Sequence, residues 1–296
     1  MAARQSAAGA RRGRLALVLA ISCTVLVTEV AVGIAANSLA LLADAGHVFA
    51  DVVGTSLGLV AVWLAARPAT RARSFGFYRS EILAAVLNAV LLFAIAGYIL
   101  VEAWRRLGDT PQVATGPMLV VAAAALAANA AAAWLLRAGQ KDSLTIRGVY
   151  LEVLNDAFGS AAVLAAGLVI RFTGFVQADA IASAVIGVLI LPRTYRLLRE
   201  AIDILLEATP KNVDMTDVRA HILQAEGVRD VHDLHAWTIT SGLNVLSAHV
   251  IVDEGARHAE VLDALCRCLS TQFDIEHSTF QLETTDRQPL EGTAHT

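Results

Sequence analysis

The 296-residue chain is 56% hydrophobic and only 17% charged, with a formal net charge of −4 at pH 7 and a mean hydropathy of +0.58. That apolar excess excludes an ordinary soluble domain, and the slight acidity gives no basic surface for nucleic acid. Three cysteines, Cys23, Cys266 and Cys268, make no disulfide framework and fit reduced cytosolic thiols.

Residues 1–14, MAARQSAAGARRGR, read as a basic N-terminal segment on the cytoplasmic side. The apolar run after them is about 20 residues long, more than the ~7–15-residue core of a signal peptide. It is read as a retained first transmembrane helix. A helix needs about 20 apolar residues to cross the hydrocarbon core, and six segments qualify: roughly 15–36, 40–66, 80–104, 113–136, 146–170 and 177–198. Asn37-Ser38, Arg67-Pro68, Gly108 to Pro111, Gly139 to Ser143 and Phe172 to Gly174 punctuate them.

Positive charge sets the orientation. Arg4, Arg11, Arg12 and Arg14, then Arg67 to Arg79, then Arg137, Lys141 and Arg147, then Arg193, Arg196 and Arg199 all fall on one side. The other side has Arg105, Arg106 and Arg171. Both termini therefore face the cytoplasm. Lys141 and Lys211 are the only lysines among 23 basic residues, which suggests a bacterium with a GC-rich genome.

From about 208 the composition becomes that of a soluble domain. A helix is expected over about 214–226 with Thr216 as its cap, alternating strands over about 229–240 and 243–252 joined at Ser241-Gly242, a helix over about 255–273, and a strand over about 277–284. The order αββαβ gives a small sheet with helices on one face, filled by Val231, Leu234, Trp237, Val245, Ala248 and Val250. Residues 286–296 read as a flexible tail. The fold class is thus an all-α six-helix transmembrane bundle (15–207) plus a small α+β cytoplasmic domain (208–285).

Two helices each carry a pair of metal-ligand-type residues at i and i+4, hence on one face. They are His47 with Asp51, and Glu152 with Asp156. One such pair is readily explained by hydrogen bonding inside a bundle. Two acidic pairs at membrane depth repel unless a cation or protons neutralise them. Asp44, one turn before His47, ranks below the four as a further donor or a polar neighbour.

One imidazole with carboxylates suits Zn²⁺, and also Co²⁺, Ni²⁺, Mn²⁺ or Fe²⁺. The set contains no cysteine for Cu(I), and a six-oxygen Mg²⁺ site would not need the histidine. No organic cofactor is expected. Protons and a divalent cation compete for the same atoms, and in an alternating-access bundle that competition is an antiporter. A membrane metalloprotease would need an HExxH-like string, which the chain lacks, so an enzyme is not expected. A membrane metal sensor that binds without transporting would use the same ligands.

Glu29, Glu81, Glu102, Asn88, Asn129, Asn155 and Asp179 are placed to line the ion route, although each singly reads as an interhelical hydrogen-bonding residue. Tyr78-Arg79-Ser80-Glu81 reads as a charge lock acting through Glu207 or Asp203. In the tail, His232 and His249 fall on the two paired strands, where they can face each other.

Several linked motifs carry a family resemblance over nearly the whole chain: SLALLADAGHVFAD, RPATRARSFGFYRSEILAA, YLEVLNDAFGS, VHDLHAWTITSG and HSTFQLE, in that order. The chain resembles the cation diffusion facilitators, near their bacterial cobalt–zinc–cadmium resistance branch. The resemblance implies a homodimer in the bacterial inner membrane, six helices per subunit, a ferredoxin-like cytoplasmic domain similar to a metallochaperone, and Zn²⁺/H⁺ antiport. It matches the family's core site to His47, Asp51, Glu152 and Asp156. Many zinc members carry histidine where this chain has Glu152. Glutamate is usual in the resistance branch, which blurs the choice among zinc, cadmium and cobalt. His232, His249 and Glu283 match family positions associated with cytoplasmic zinc. Gln281 stands where some bacterial members have a further histidine, so one weak regulatory site at most is expected there.

Overall fold

The computed structural model describes residues 2–109, 111–137 and 144–285, and the side chains within them apart from 2–16, 144 and 145. The expected flexible tail 286–296, Lys141 and the side chains of Arg4, Arg11, Arg12 and Arg14 lie outside the described residues. Six long helices come first: α1 (Ala2–Ala35), α2 (Leu39–Ala65), α3 (Ser80–Gly108), α4 (Thr115–Arg137), α5 (Leu144–Thr173) and α6 (Gln177–Leu205). Each contains a stretch long and apolar enough to cross a membrane.

The break between α1 and α2 falls where the sequence places it. Asn37 adopts a left-handed φ of 54°, a conformation its short polar side chain tolerates. Ser38 then accepts a hydrogen bond from the Leu41 amide at 3.2 Å, as an N-cap does. Helices α3 and α6 continue past the expected 104 and 198. Apolar periodicity marks where a membrane ends, whereas a helix continues while its backbone is satisfied. At the end of α3, Arg106 and Glu102 pair at 3.1 Å across one turn.

The chain clusters into two compact units, residues 1–57 with 87–198 and residues 58–86 with 199–296. The first unit packs around alanines of α2, α3 and α4, with Ala40, Ala43, Ala50, Ala96 and Ala122 all fully buried. Such small side chains let apolar helices approach closely where no hydrophobic force drives association. Large apolar residues including Tyr98, Trp104, Trp134, Phe158 and Leu189 point outward. That is the inverse of a water-soluble surface.

The second unit contains α7 (Met215–Leu223), β1 (Val228–Thr240), β2 (Leu243–Val252), α8 (His258–Gln272) and β3 (His277–Glu283). The sheet order is β1-β2-β3, with β1 antiparallel and β3 parallel to the central β2. Val218 and Ile222 of α7 join Val261, Leu265 and Leu269 of α8 in one core against Val231, Leu246, Ala248 and Val250.

Two expectations are corrected here. The cap of α7 is Asp214, not Thr216: its carboxylate accepts from the Thr216 amide at 2.8 Å. The buried core residues of β1 are Val231 and Ala236; Leu234 is half-buried and packs against that core as expected, while Trp237, also half-buried, does not belong to it. The pairing steps from His232↔His249 to His235↔Ser247, so β1 carries one extra residue there. Asp233 takes a φ of 51° at that bulge. The bulge flips the alternation that a flat reading assumes. In the same unit Arg79 pairs with Glu207 at 2.7 Å, and Glu81 accepts from Thr240 Oγ1 at 2.5 Å and Ser241 Oγ at 3.3 Å.

Candidate metal centre

On α2, Asp44, His47 and Asp51 recur at i, i+3 and i+7 and so share a face. On α5, Glu152, Asn155, Asp156 and Gly159 form the matching stripe. Asp44, His47 and Asp51 of the first stripe and Glu152, Asn155 and Gly159 of the second line a cavity of about 450 Å³ with Asn88 of α3 and Arg193 of α6. His47 Nε2 lies 3.5 Å from Asp51 Oδ2 and 3.8 Å from Asp156 Oδ1. One ligand atom from each of these three residues falls within 4.8 Å of the other two. His47 and Asp156 are each 7% exposed.

Asp51 Oδ2, Asp156 Oδ1 and His47 Nδ1 are buried without a hydrogen-bond partner. Buried acceptors normally find one, and the two orphaned carboxylate oxygens, both nearest His47 Nε2, are what a cation would satisfy. Zinc–ligand distances run to about 2.0–2.2 Å, so small side-chain rotations would gather these atoms on one ion.

The four sequence-derived residues are not placed alike. Glu152 lines the same cavity, but Arg193 Nη2 holds its Oε1 at 3.4 Å, and it is outside the three-donor group. Asp44 is nearly fully buried, and Ser160 Oγ donates to its Oδ2 at 3.1 Å. Asn129 in turn reaches Ser160 at 3.5 Å. Asp44 thus spends one oxygen in a polar chain running into α5 and α4.

Two further residues matter here: Asn155, which the sequence placed only among residues able to line the ion route, and Arg193, to which it gave no site role. Asn155 Nδ2 touches His47 Nε2 at 2.9 Å, and Arg193 is the only arginine or lysine lining the cavity among the described residues. Asn155 lies three residues after Glu152, which was the available signal. Arg193 looked like one more flanking charge.

A second group lies in the sheet of the other unit. His232 and His249 face each other across β1 and β2 with ring centroids 5.3 Å apart. His249 Nδ1 is 3.1 Å and His232 Nε2 3.7 Å from the two oxygens of Glu283. These residues could hold a cation. Gln281 Nε2 donates to Glu283 Oε1 at 2.6 Å. The glutamine therefore occupies the carboxylate and supplies no imidazole.

The family model for the cation efflux transmembrane domain matches residues 15–206, and that for the cation efflux protein cytoplasmic domain matches residues 210–285.

The chain belongs to the cation efflux family of membrane transporters.

Its relatives include the metal cation efflux system protein CzcD of Cupriavidus metallidurans, 42% identical over 97% of this chain and 91% of that protein. A cadmium, cobalt and zinc/H(+)-K(+) antiporter of Bacillus subtilis is 40% identical over 88% of this chain and 85% of that one. Among solved structures, the metal-bound C-terminal domain of the Cupriavidus CzcD transporter is 43% identical, covering 24% of this chain and 99% of that one at a TM-score of 0.23. Like other members of its family, the chain is a multi-pass membrane protein with a cytoplasmic domain.

Proposed function

We propose that this protein exports divalent transition-metal cations from the cytoplasm in exchange for protons, with Zn²⁺ the leading substrate and Cd²⁺ and Co²⁺ also carried. The observation that carries this reading is the trio His47, Asp51 and Asp156, whose donor atoms lie within 4.8 Å of one another and are buried in the apolar unit. Glu152 completes the site once it turns from Arg193 to the ion. The Cupriavidus relative, a metal cation efflux system protein, supports metal export, and the Bacillus relative, a cadmium, cobalt and zinc/H(+)-K(+) antiporter, supports the metal classes and proton antiport.

Clustered carboxylates at this depth need neutralising cations. An ion arriving from the cytoplasm displaces protons, and protons arriving from outside displace the ion. Alternating access of the bundle separates the two events. In this reading residues 15–207 are the membrane domain and 208–285 the cytoplasmic domain, both termini face the cytoplasm, and the protein is a homodimer in a bacterial inner membrane. His232, His249 and Glu283 form a weak regulatory site for cytosolic metal.

Zinc uptake into everted vesicles under an imposed proton gradient tests the reading. Wild-type protein takes up Zn²⁺, and Asp51→Ala does not. Unchanged uptake by Asp51→Ala defeats the site assignment. Zn²⁺ binding by the wild type without any flux would make the protein a sensor.

A further inference from the structure

Arg193 follows Pro192 inside α6. A proline lacks the N–H that would bond four residues back, so the helix ladder is interrupted there. The guanidinium extends to Glu152 Oε1 at 3.4 Å. Glu152 is the one residue of the proposed four that stands apart from the three-donor group, and Arg193 is what holds it.

We propose that Arg193 is a tethered counter-cation: it pairs with Glu152 while the transport site holds no metal, and must be displaced before Glu152 can ligate the ion. Arg193 is thereby a positioning residue that sets metal affinity through Glu152. The inference rests on the transport-site reading above.

Three features support this role. The guanidinium keeps its charge at any working pH, so unlike a proton it competes with metal independently of pH. The pair is half-open, with side-chain exposures of 64% for Arg193 and 34% for Glu152. An ion pair of that kind is weak, so a divalent ion can break it, whereas a fully buried bidentate pair would exclude the substrate. Asp51 and Asp156 retain unpartnered oxygens, so the arginine covers one acid of the site and leaves the others to the ion. When the ion departs, Arg193 returns and the empty site carries one negative charge fewer.

The test is Zn²⁺ affinity of the full-length protein in lipid nanodiscs, measured by competition with a fluorescent chelator, for wild type, Arg193→Gln, Arg193→Lys, Glu152→Gln and the Arg193→Gln/Glu152→Gln double variant. Removing a competing cation tightens binding, so Arg193→Gln lowers Kd by about two- to five-fold, the size of a partly exposed ion pair. Arg193→Lys stays near wild type. In the Glu152→Gln background the arginine substitution changes Kd by less than about two-fold, because no carboxylate remains to contest.

General damage to the bundle would weaken binding, so a tightening is not open to that explanation. Unchanged or weaker binding by Arg193→Gln in correctly folded protein, or an equal tightening in the Glu152→Gln background, overturns the proposal. Should Arg193→Gln misfold, wild-type affinity in Arg193→Lys remains required, and a large change there also overturns it. Wild-type protein that binds no Zn²⁺ would instead sink the site reading.

Discussion

Asp179, in the first turn of α6, closes the first turn of α2 through Ser38. Ser38 Oγ donates to Asp179 Oδ1 at 2.6 Å, and the Leu39 and Ala40 amides donate to the same carboxylate at 2.7 and 3.2 Å. Both side chains are buried. The first amides of a helix have no partner within it, and an anion there also meets the positive end of the helix dipole. The helix that carries His47 and Asp51 is therefore fastened at its start by a residue 140 positions away.

Asp179→Ala should destabilise the protein by about 2–4 kcal/mol, since it strands two buried amides and a hydroxyl. Thermal unfolding in detergent would show a midpoint several degrees lower. Asp179→Asn keeps one carbonyl acceptor and should fall between. Equal midpoints for all three proteins would contradict the clamp.

Asn155→Ala should tighten Zn²⁺ binding by about two- to ten-fold, because the amide must leave His47 Nε2, the ring nitrogen that faces Asp51 and Asp156, before an ion can take it. Its contact with His47 Nε2 at 2.9 Å is the reason. Chelator competition on folded protein reads the effect directly. Wild-type affinity would mean that the amide is incidental.

Gly159→Ala and Gly148→Ala should differ in sign. A Cβ at Gly159 would collide with the Asp44 carboxylate, while one at Gly148 meets nothing within 4 Å. The first should cost about 1–3 kcal/mol and disturb the site. The second should gain about 0.5–1 kcal/mol from helix propensity. Parallel melting curves and vesicle uptake decide it.

Gln281→His should strengthen metal binding by the cytoplasmic domain by about ten-fold, because it adds an imidazole beside His249 and releases Glu283 from the glutamine amide. The measurement belongs in full-length Asp51→Ala protein, where the membrane site is disabled. No Zn²⁺ binding with or without Gln281→His in that background would remove the cytoplasmic site.

Asp214 has its carboxyl held below the usual aspartate range by hydrogen bonds from the Thr216 backbone and the start of α7. A depressed folded-state value means that the cap contributes stability above the unfolded titration point and loses it as pH falls through the lowered one. Asp214→Ala should therefore be less stable than wild type near neutrality, with the gap closing in acid. A gap that widens on acidification would contradict that sign.

The six spans were legible because each needs a long apolar run that soluble chains rarely carry. The His47, Asp51 and Asp156 cluster was legible in outline because i, i+4 spacing fixes which side chains share a face. What spacing on one helix cannot give is the partner from another. Arg193 lies in the second half of α6 near Arg196 and Arg199, where charge counting absorbs it. Its reach to Glu152 depends on how α5 and α6 pack. Glu29 likewise read as one polar residue among several, yet it is fully buried with both carboxylate oxygens unpartnered. In the sheet, Ala236 was missed in favour of Trp237 because alternation carries no mark of an inserted residue.

Because β1 counts three steps from His232 to His235 while β2 counts two from His249 to Ser247, strand parity differs on either side of Asp233. A chimera spliced beyond Leu234 from a relative without that insertion would preserve nearly every amino acid yet turn Ala236 outward. Deleting one residue at 233 or 234 would do the same, which makes this short stretch a poor place for indels and a sensible boundary to keep intact when swapping cytoplasmic domains.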